Sequence, residues 1–263
     1  MKLGIIGFGN MGQSIAGGLV KALDSIEIAV VEKDPAKAGQ AEKMDNIRLF
    51  EKADESFFSF SDYIVIAIKP QDLPELFVDI SQYTREKEII SIAAGKSINY
   101  FQKNLKTEKI IRFMPNLAAS IGKAVVGIAF SAQADTAFRN AAFTIAKALG
   151  TPVELPERSM SAITGLSGSG IAYVFQFIHS LAMGGVREGI PYEKALNIAL
   201  GTVEGATEVL QQSGDHPAAL LSKVTSPNGT TIEGITALEE NAFTASVMQA
   251  VHRASKRADE LEQ

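Results

Sequence analysis

Met1-Lys2-Leu3-Gly4-Ile5-Ile6-Gly7-Phe8-Gly9-Asn10-Met11-Gly12 decides how this chain folds. A short apolar strand runs into Gly7-x-Gly9-x-x-Gly12. A helical pattern follows, with Met11, Ile15, Leu19 and Ala22 on one face and Lys21 near its end. Strand, glycine turn and helix in that order are the context a dinucleotide-binding fingerprint requires. In that reading Gly7 allows the tight turn, Gly9 lets backbone approach a pyrophosphate, and Gly12 lets the helix lie close to the sheet. Asn10 and Met11 stand at the helix start beside the phosphates. Away from a strand, the same spacing is only a turn.

Working outward, the next β-rich run, Ile26–Val31, ends in Glu32-Lys33-Asp34-Pro35. Glu32 lies twenty residues past Gly12, where an acid can bind the adenosine ribose diol and repel a 2′-phosphate. Lys33, beside it, could pair with that phosphate. The two signals conflict, so NADH and NADPH both remain open.

Up to about residue 155, β-rich runs alternate with helical patterns. The runs read as strands are 2–6, 27–31, 47–50, 63–68, 88–93 and 109–113, with edge strands expected at 124–130 and 151–154 around a helix at 134–149. Apolar runs such as Tyr63–Ile68 suit a parallel strand buried on both faces. The alternation implies βαβ crossovers and an α/β Rossmann fold, a doubly wound and mostly parallel sheet. Pro152, Pro156 and Glu157-Arg158 mark a boundary. Residues 1–155 are read as the dinucleotide-binding domain and 156–263 as an all-α domain. In the second stretch apolar positions recur at helical spacing (Ile171, Val174, Ile178, Leu181; Leu196, Leu200, Val203, Leu210; Val247, Val251). Gly201, Gly205 and Ala206 suggest close helix packing. The apolar arcs are wide for about a hundred residues, which points to a helix-mediated homodimer.

Ligands of such a sheet sit outside the carboxyl ends of its strands. Three strand ends carry suggestive residues: Ala67, Lys69 and Pro70 after the fourth, Ala93-Ala94-Gly95 after the fifth, and Asn116 after the sixth. Lys69 could reach a ribose or phosphate, the small residues admit a nicotinamide ring, and Asn116 offers an amide. Each is also ordinary turn chemistry taken singly. Further on, Ser167 or Ser169 of Leu166-Ser167-Gly168-Ser169-Gly170 is a candidate helix cap or close-approach site. Ser226-Pro227-Asn228-Gly229-Thr230-Thr231 presents hydroxyls and N–H groups at a helix start, suited to a small carboxylate. Thr230 and Glu233 also have capping-box spacing.

Composition narrows the classes. The chain has 263 residues, a net charge of −5 and 46% hydrophobic residues. That is enough for one large core or two smaller ones, and the charge gives no case for nucleic acid or an anionic membrane. The chain has no cysteine, which excludes disulfides and thiolate catalysis, and its three histidines show no ligand spacing, so no metal is expected. Apolar runs are broken by polar residues short of a membrane span. Met1 leads directly into the glycine motif, leaving no room for a signal peptide. A soluble, cytoplasmic protein is the expectation.

Taken together, Gly7-Phe8-Gly9-Asn10-Met11, Lys69-Pro70-Gln71, Met114-Pro115-Asn116, Ser167-Gly168-Ser169-Gly170 and Val224–Thr231 resemble the pyrroline-5-carboxylate reductase family, in order and from end to end. The resemblance implies an N-terminal Rossmann domain and a C-terminal helical dimerisation domain, often in rings of dimers. It implies hydride transfer from NAD(P)H to 1-pyrroline-5-carboxylate, giving L-proline. It places Ser226, Gly229, Thr230 and Thr231 around the substrate, and Thr231 is the candidate catalytic hydroxyl. The chain departs from the family pattern in four places. Ile171 replaces a proline, Asn228 replaces a glycine, Glu32-Lys33 replaces Asn-Arg, and Asp54 stands where an adenosine-facing asparagine is common. The alternatives are a β-hydroxyacid dehydrogenase-like reductase, which would rely on a lysine such as Lys194 or Lys223, and a non-catalytic dinucleotide sensor.

Overall fold

The computed structural model describes residues 1–262. The strands are β1 (Lys2–Ile6), β2 (Glu27–Val31), β3 (Ile47–Phe50), β4 (Tyr63–Ile66), β5 (Glu88–Ser91), β6 (Ile110–Pro115), β7 (Ala124–Phe130) and β8 (Gly150–Glu154). They form one sheet in the order β3-β2-β1-β4-β5-β6-β7-β8. All neighbours from β3 to β6 are parallel. β7 runs antiparallel to β6, and β8 lies parallel to β7.

The period-2 geometry of a strand explains the continuous apolar runs, because alternate residues serve opposite faces. Leu3, Ile5, Ile28, Val30, Val65, Ile90, Ile111 and Phe113 enter one core. Ile6, Ala29, Val31, Ile64, Ile66, Ile89, Ile110 and Met114 enter the other. Helices α1 (Asn10–Ala22), α2 (Pro35–Ala41), α3 (Glu55–Phe60), α4 (Leu73–Ile80), α5 (Ile98–Asn104), α6 (Thr136–Leu149) and α7 (Met160–Ile163) join or follow these strands. α1 and α6 cover the first face through Ile15, Leu19, Phe138, Ile145 and Leu149. α3, α4 and α5 cover the second through Phe57, Phe58, Leu73, Phe77, Ile80 and Phe101. Each such side chain contributes about 1.5–3 kcal/mol of burial. The order reverses between β1 and β4, which opens a crevice at their carboxyl ends.

Five strand boundaries differ from the sequence reading; two of them, the starts of β6 at Ile110 and of β8 at Gly150, shift by one residue. β4 stops at Ile66 and β5 at Ser91; the next residues, Ala67 and Ile92, each donate one last backbone bond to the neighbouring strand before the chain turns away. β6 continues to Pro115, held by pairing with β7 up to Pro115–Val126. β7 is not an edge strand, since β8 lies outside it.

One side chain breaks the apolar rule. Arg112, in the middle of β6, is 2% exposed. Its Nη1 pairs with Glu157 Oε1 at 3.0 Å and its Nη2 with Glu262 Oε1 at 2.6 Å. The guanidinium is buried while both carboxylates reach partly to solvent, so the cation is held by partners that keep some hydration.

By its contacts the chain divides into two compact units. The first is Met1–Ser169 with the terminal segment from Arg253, and the second is Gly170–His252. Its helices are α8 (Gly170–Arg187), α9 (Tyr192–Ser213), α10 (Pro217–Val224), α11 (Thr230–Glu240) and the first part of α12 (Phe243–Glu262). The buried cluster of this unit is Ala182, Ala195 and Ala199. Close approach of α8 and α9 occurs at Gly185, where an added Cβ would stand 3.0 Å from Ala195 Cβ. Gly201 and Gly205, expected to mark tight packing, face open space. Much of the apolar surface of α9 is uncovered, including Ile198, Leu200 and Val209.

Ser167 and Ser169 cap no helix. Residues Thr164–Gly168 form a π turn, with Ser169 N–H donating to the Thr164 carbonyl at 2.8 Å. Helical turns therefore follow one another from Glu157 to Arg187, with Ser169 as a single turn residue among them.

Candidate active site

Gly7 leaves β1 with φ of 99°, and an added Cβ would meet the Ala67 backbone at 2.7 Å. Its N–H still donates to the Val31 carbonyl at 2.9 Å. At Gly12 a Cβ would collide with the Gly7 carbonyl, so only glycine lets α1 start this close to the strand. Gly9 is the N-cap of α1, and no atom lies within 4 Å of where its Cβ would be. No side chain caps α1. The backbone N–H groups at Asn10, Met11 and Gly12 thus start a helix with its positive end toward the crevice, a donor set that fits a pyrophosphate.

Glu32 is tied to this loop. Its Oε2 accepts from Phe8 N–H at 2.6 Å and its Oε1 from Asp34 N–H at 2.8 Å. Gly7, Glu32, Lys33 and Asp54 line one cleft of about 740 Å³, whose apolar walls include Ile6, Val31, Ile68 and Leu76. The cleft holds six carboxylates (Glu32, Glu51, Asp54, Asp72, Glu75, Asp79) against two ammonium groups (Lys33, Lys52), with no arginine among its lining residues. Lys33 donates to Glu75 at 2.6 Å, and this bond raises the lysine pKa and lowers that of the carboxyl. Asp54 is the N-cap of α3, accepting from the Ser56 and Phe57 N–H groups and from the Ser56 hydroxyl. These bonds hold its carboxyl below the usual carboxylate range, with the Ser56 hydroxyl the largest cause.

The other strand-end residues fall into three loops. Ala67 N–H donates to Ile6 carbonyl at 2.8 Å, Lys69 is exposed, and Pro70 opens a 3-10 turn. Ala93 is buried, Ala94 half-buried, and Gly95 turns the chain with φ of 67°. Asn116 is occupied at both ends: Oδ1 accepts from Ala118 N–H at 3.2 Å and Nδ2 donates to Ser167 Oγ at 3.1 Å. Arg112 and its partners were not singled out by motif. An arginine inside Ile110-Ile111-Arg112-Phe113-Met114 was the available signal, since arginine is almost never fully buried without a partner.

The Ser226–Thr231 loop belongs to the second unit. Asn228 adopts the left-handed region at φ of 56°, and Gly229 N–H closes the turn on the Ser226 carbonyl at 3.1 Å. A Cβ at Gly229 would strike Ser226 Oγ. α11 begins at Thr230 with Gly229 as its N-cap and no side-chain cap. Thr230 is thus the first helical residue, and the capping box suggested by its spacing to Glu233 does not form. The turn at Asn228 places the extended residue one position earlier than that spacing assumed. Nearby Thr225 spends its hydroxyl on the Leu221 carbonyl at 2.7 Å. Among the described residues, no partner within the chain engages the hydroxyls of Ser226, Thr230 and Thr231.

A glycine-turn helix start at the switch point of a doubly wound sheet, followed by a helical unit, defines a Rossmann-type oxidoreductase using a nicotinamide dinucleotide. The comparisons narrow that class. Residues 157–261 match the family described as pyrroline-5-carboxylate reductase dimerisation, and residues 2–95 match the one described as NADP oxidoreductase coenzyme F420-dependent. A pyrroline-5-carboxylate reductase of Aquifex aeolicus is 40% identical, covering 99% of this chain and 97% of its own length. One from Methanosarcina acetivorans is 38% identical with the same coverage of each. The crystal structure of Plasmodium falciparum pyrroline carboxylate reductase with NADP bound superposes with a TM-score of 0.91 at 28% identity, covering 100% of this chain and 98% of that one. The chain belongs to the pyrroline-5-carboxylate reductase family.

Proposed function

We propose that this protein reduces 1-pyrroline-5-carboxylate to L-proline with NADH or NADPH. The observation that carries the reading is the uncapped start of α11, where a left-handed Asn228 and a side-chain-free Gly229 leave N–H groups and the Thr230 and Thr231 hydroxyls without partners. Such a terminus suits the substrate carboxylate, with Ser226, Gly229 and Thr230 around it.

The bound dinucleotide supplies a hydride from its nicotinamide ring. The chain binds and orients. The first turn of α1 holds the pyrophosphate, with Gly9 open to it. Glu32 accepts from the ribose hydroxyls, and Lys69 and Asn116 border the remainder. With the imine nitrogen already protonated, hydride added at C5 would send the C5=N electron pair to nitrogen and give the neutral secondary amine with no further proton needed. Thr231 holds its hydroxyl at that nitrogen as its basicity rises, an interaction stronger in the transition state than in the ground state. An imine is a good hydride acceptor, so placement suffices and no lysine or histidine acid is needed.

The acidic cleft supports a cofactor preference without strong bias toward NADPH. A 2′-phosphate there meets Glu32 and Asp54, and Lys33 is already paired with Glu75. The exposed apolar side chains of α8, α9 and α12 support a homodimer. The run Glu157–Arg187 is long and apolar enough to cross a membrane, contrary to the sequence expectation, because the π turn joins two helices into one. Its position inside the dimerisation match supports a partner-facing role instead. The test is oxidation of each nicotinamide cofactor by purified protein with 1-pyrroline-5-carboxylate. No oxidation of either would refute the assignment.

A further inference from the structure

We propose that Arg112 and Glu262 form a clamp that holds the last turn of α12 on the Gly95 turn, making Glu262 a positioning residue for the nicotinamide end of the cofactor. The inference rests on the reading of Ala93-Ala94-Gly95 as that end, and all its residues lie in the first unit.

Three segments converge on one buried guanidinium. Glu262 ends α12 and binds Nη2 at 2.6 Å. Glu157, just after β8, binds Nη1 at 3.0 Å. The same Glu157 oxygen accepts from Ile98 N–H at 2.6 Å, at the start of α5 and three residues past Gly95. Arg112 therefore connects the exit of the Gly95 turn to the end of α12 through two carboxylates. The contact is completed from the other side. At Gly95 an added Cβ would stand 2.7 Å from Leu261 Cβ and 2.9 Å from the Leu261 backbone. The helix end thus lies directly on the turn.

The sequence of α12 carries an independent sign of this contact. Its last turn reads Asp259-Glu260-Leu261-Glu262, with no basic residue, and the nearest cation before it, Arg257, pairs with Glu260 rather than Glu262. Acids at a helix carboxyl end oppose the macrodipole, and a cation there is favourable. Arg112 supplies that cation from β6. A local choice that contradicts helix preference and is answered by a buried partner marks a contact specified by the fold.

The clamp acts on binding geometry rather than on the reacting bond. If the turn at 93–95 is displaced, the dinucleotide ring loses its backing while the carboxylate loop at Ser226–Thr231 is chemically unchanged. The expected signature is a selective rise in cofactor Kd and KM.

The experiment compares wild type, Glu262→Ala, Glu262→Asp, Gly95→Ala and the Glu262→Ala/Gly95→Ala double variant. NADH fluorescence titration gives Kd without turnover, and steady-state kinetics give KM for cofactor and imine separately. Glu262→Ala is expected to raise NADH Kd about tenfold and leave the imine KM within about twofold, with Glu262→Asp recovering most of the loss. Gly95→Ala should give a similar defect, and the double variant should be little worse than either single, as expected for residues sharing one contact. Wild-type Kd and KM in Glu262→Ala, whatever its melting temperature, would overturn the clamp, as would fully additive losses. Failure of the wild type to turn over the imine would instead refute the assigned reaction, and the Kd comparison would still decide the clamp.

Discussion

The two units of this molecule solve burial in opposite ways. The first packs large side chains on both faces of its sheet, with Phe8, Phe57, Phe101, Phe113 and Phe138 essentially inaccessible. The second buries three alanines and leaves Phe175, Leu181, Ile198, Leu200, Val209 and Val247 in the open. Both have wide apolar arcs in sequence. The difference is that a strand has two faces inside its own sheet, whereas a helix in a small unit has a far side that only another surface can cover. Hydrophobic periodicity reports that a face will be buried, and it does not report by which chain.

That contrast is broken most directly by paired leucine substitutions. Leu19→Ala hollows the first core, where the side chain is fully buried, and is expected to cost about 2–5 kcal/mol in denaturant melts, independent of protein concentration. Leu200→Glu should instead act on association. Light scattering is expected to show dimer association weakened by at least about a hundredfold, ~2.7 kcal/mol, with the melting of dilute protein little changed. A stable, active monomer in the wild type at low micromolar concentration would remove the distinction.

Next in size is the catalytic contrast at α11. Thr231→Ala is expected to lower turnover by about ten- to a thousandfold, and Thr231→Val to behave alike because the hydroxyl alone matters. Thr230→Ala sharpens the point. Thr230 is the first helical residue and not the cap, so its loss should cost less stability than the ~1 kcal/mol typical of a cap. Near-native turnover in both Thr231 variants would leave placement of the ring and carboxylate as the catalytic effects.

A smaller effect is expected in the cleft. Glu32→Asn should shift the ratio of kcat/KM toward NADPH by about tenfold, because it removes a charge that repels a phosphate. A wild type that already prefers NADPH by more than about a hundredfold, ~2.7 kcal/mol, would contradict this role.

The smallest effect concerns Asp54. Its folded carboxyl is depressed because the Ser56 hydroxyl, and then the Phe57 N–H, favour the charged form. A depressed value means its stabilising contribution is complete above about pH 4 and fades as pH falls through the folded value. Melts of wild type and Asp54→Ala should therefore differ at pH 7 and converge in acid. A gap that widens on acidification would reverse the sign.

Most of the first unit was legible because strand and glycine signals are local. β1, β2, β3 and β7 begin and end where their apolar runs do. β4 and β5 end earlier than their apolar runs, because Ala67 and Ile92 still pack against the first core and each keeps one backbone bond to the neighbouring strand as the chain turns away. At the site, spacing pointed to Gly7, Glu32 and Lys33 and the family resemblance to Asp54, and all four line one cleft. Neither revealed that Asp54 caps a helix or that Lys33 is paired, since both depend on side-chain rotamers. Gly201 and Gly205 meet no neighbour within the chain, since a glycine permits close approach without supplying the surface that approaches. Arg112 was visible as an oddity, but its partners are 45 and 150 residues away, beyond any local pattern.

That last separation bears on how the protein is made. Synthesis delivers the sheet first, and domains fold as they emerge. Arg112 enters β6 well before Glu262 exists, so the nascent first unit carries a cation whose second carboxylate is still to be translated. Long-range contacts of this kind form late and slowly. The first unit is therefore also completed by residues made last, and a ribosome that stops about ten residues short leaves Arg112 held by Glu157 alone, with no carboxylate on its second nitrogen.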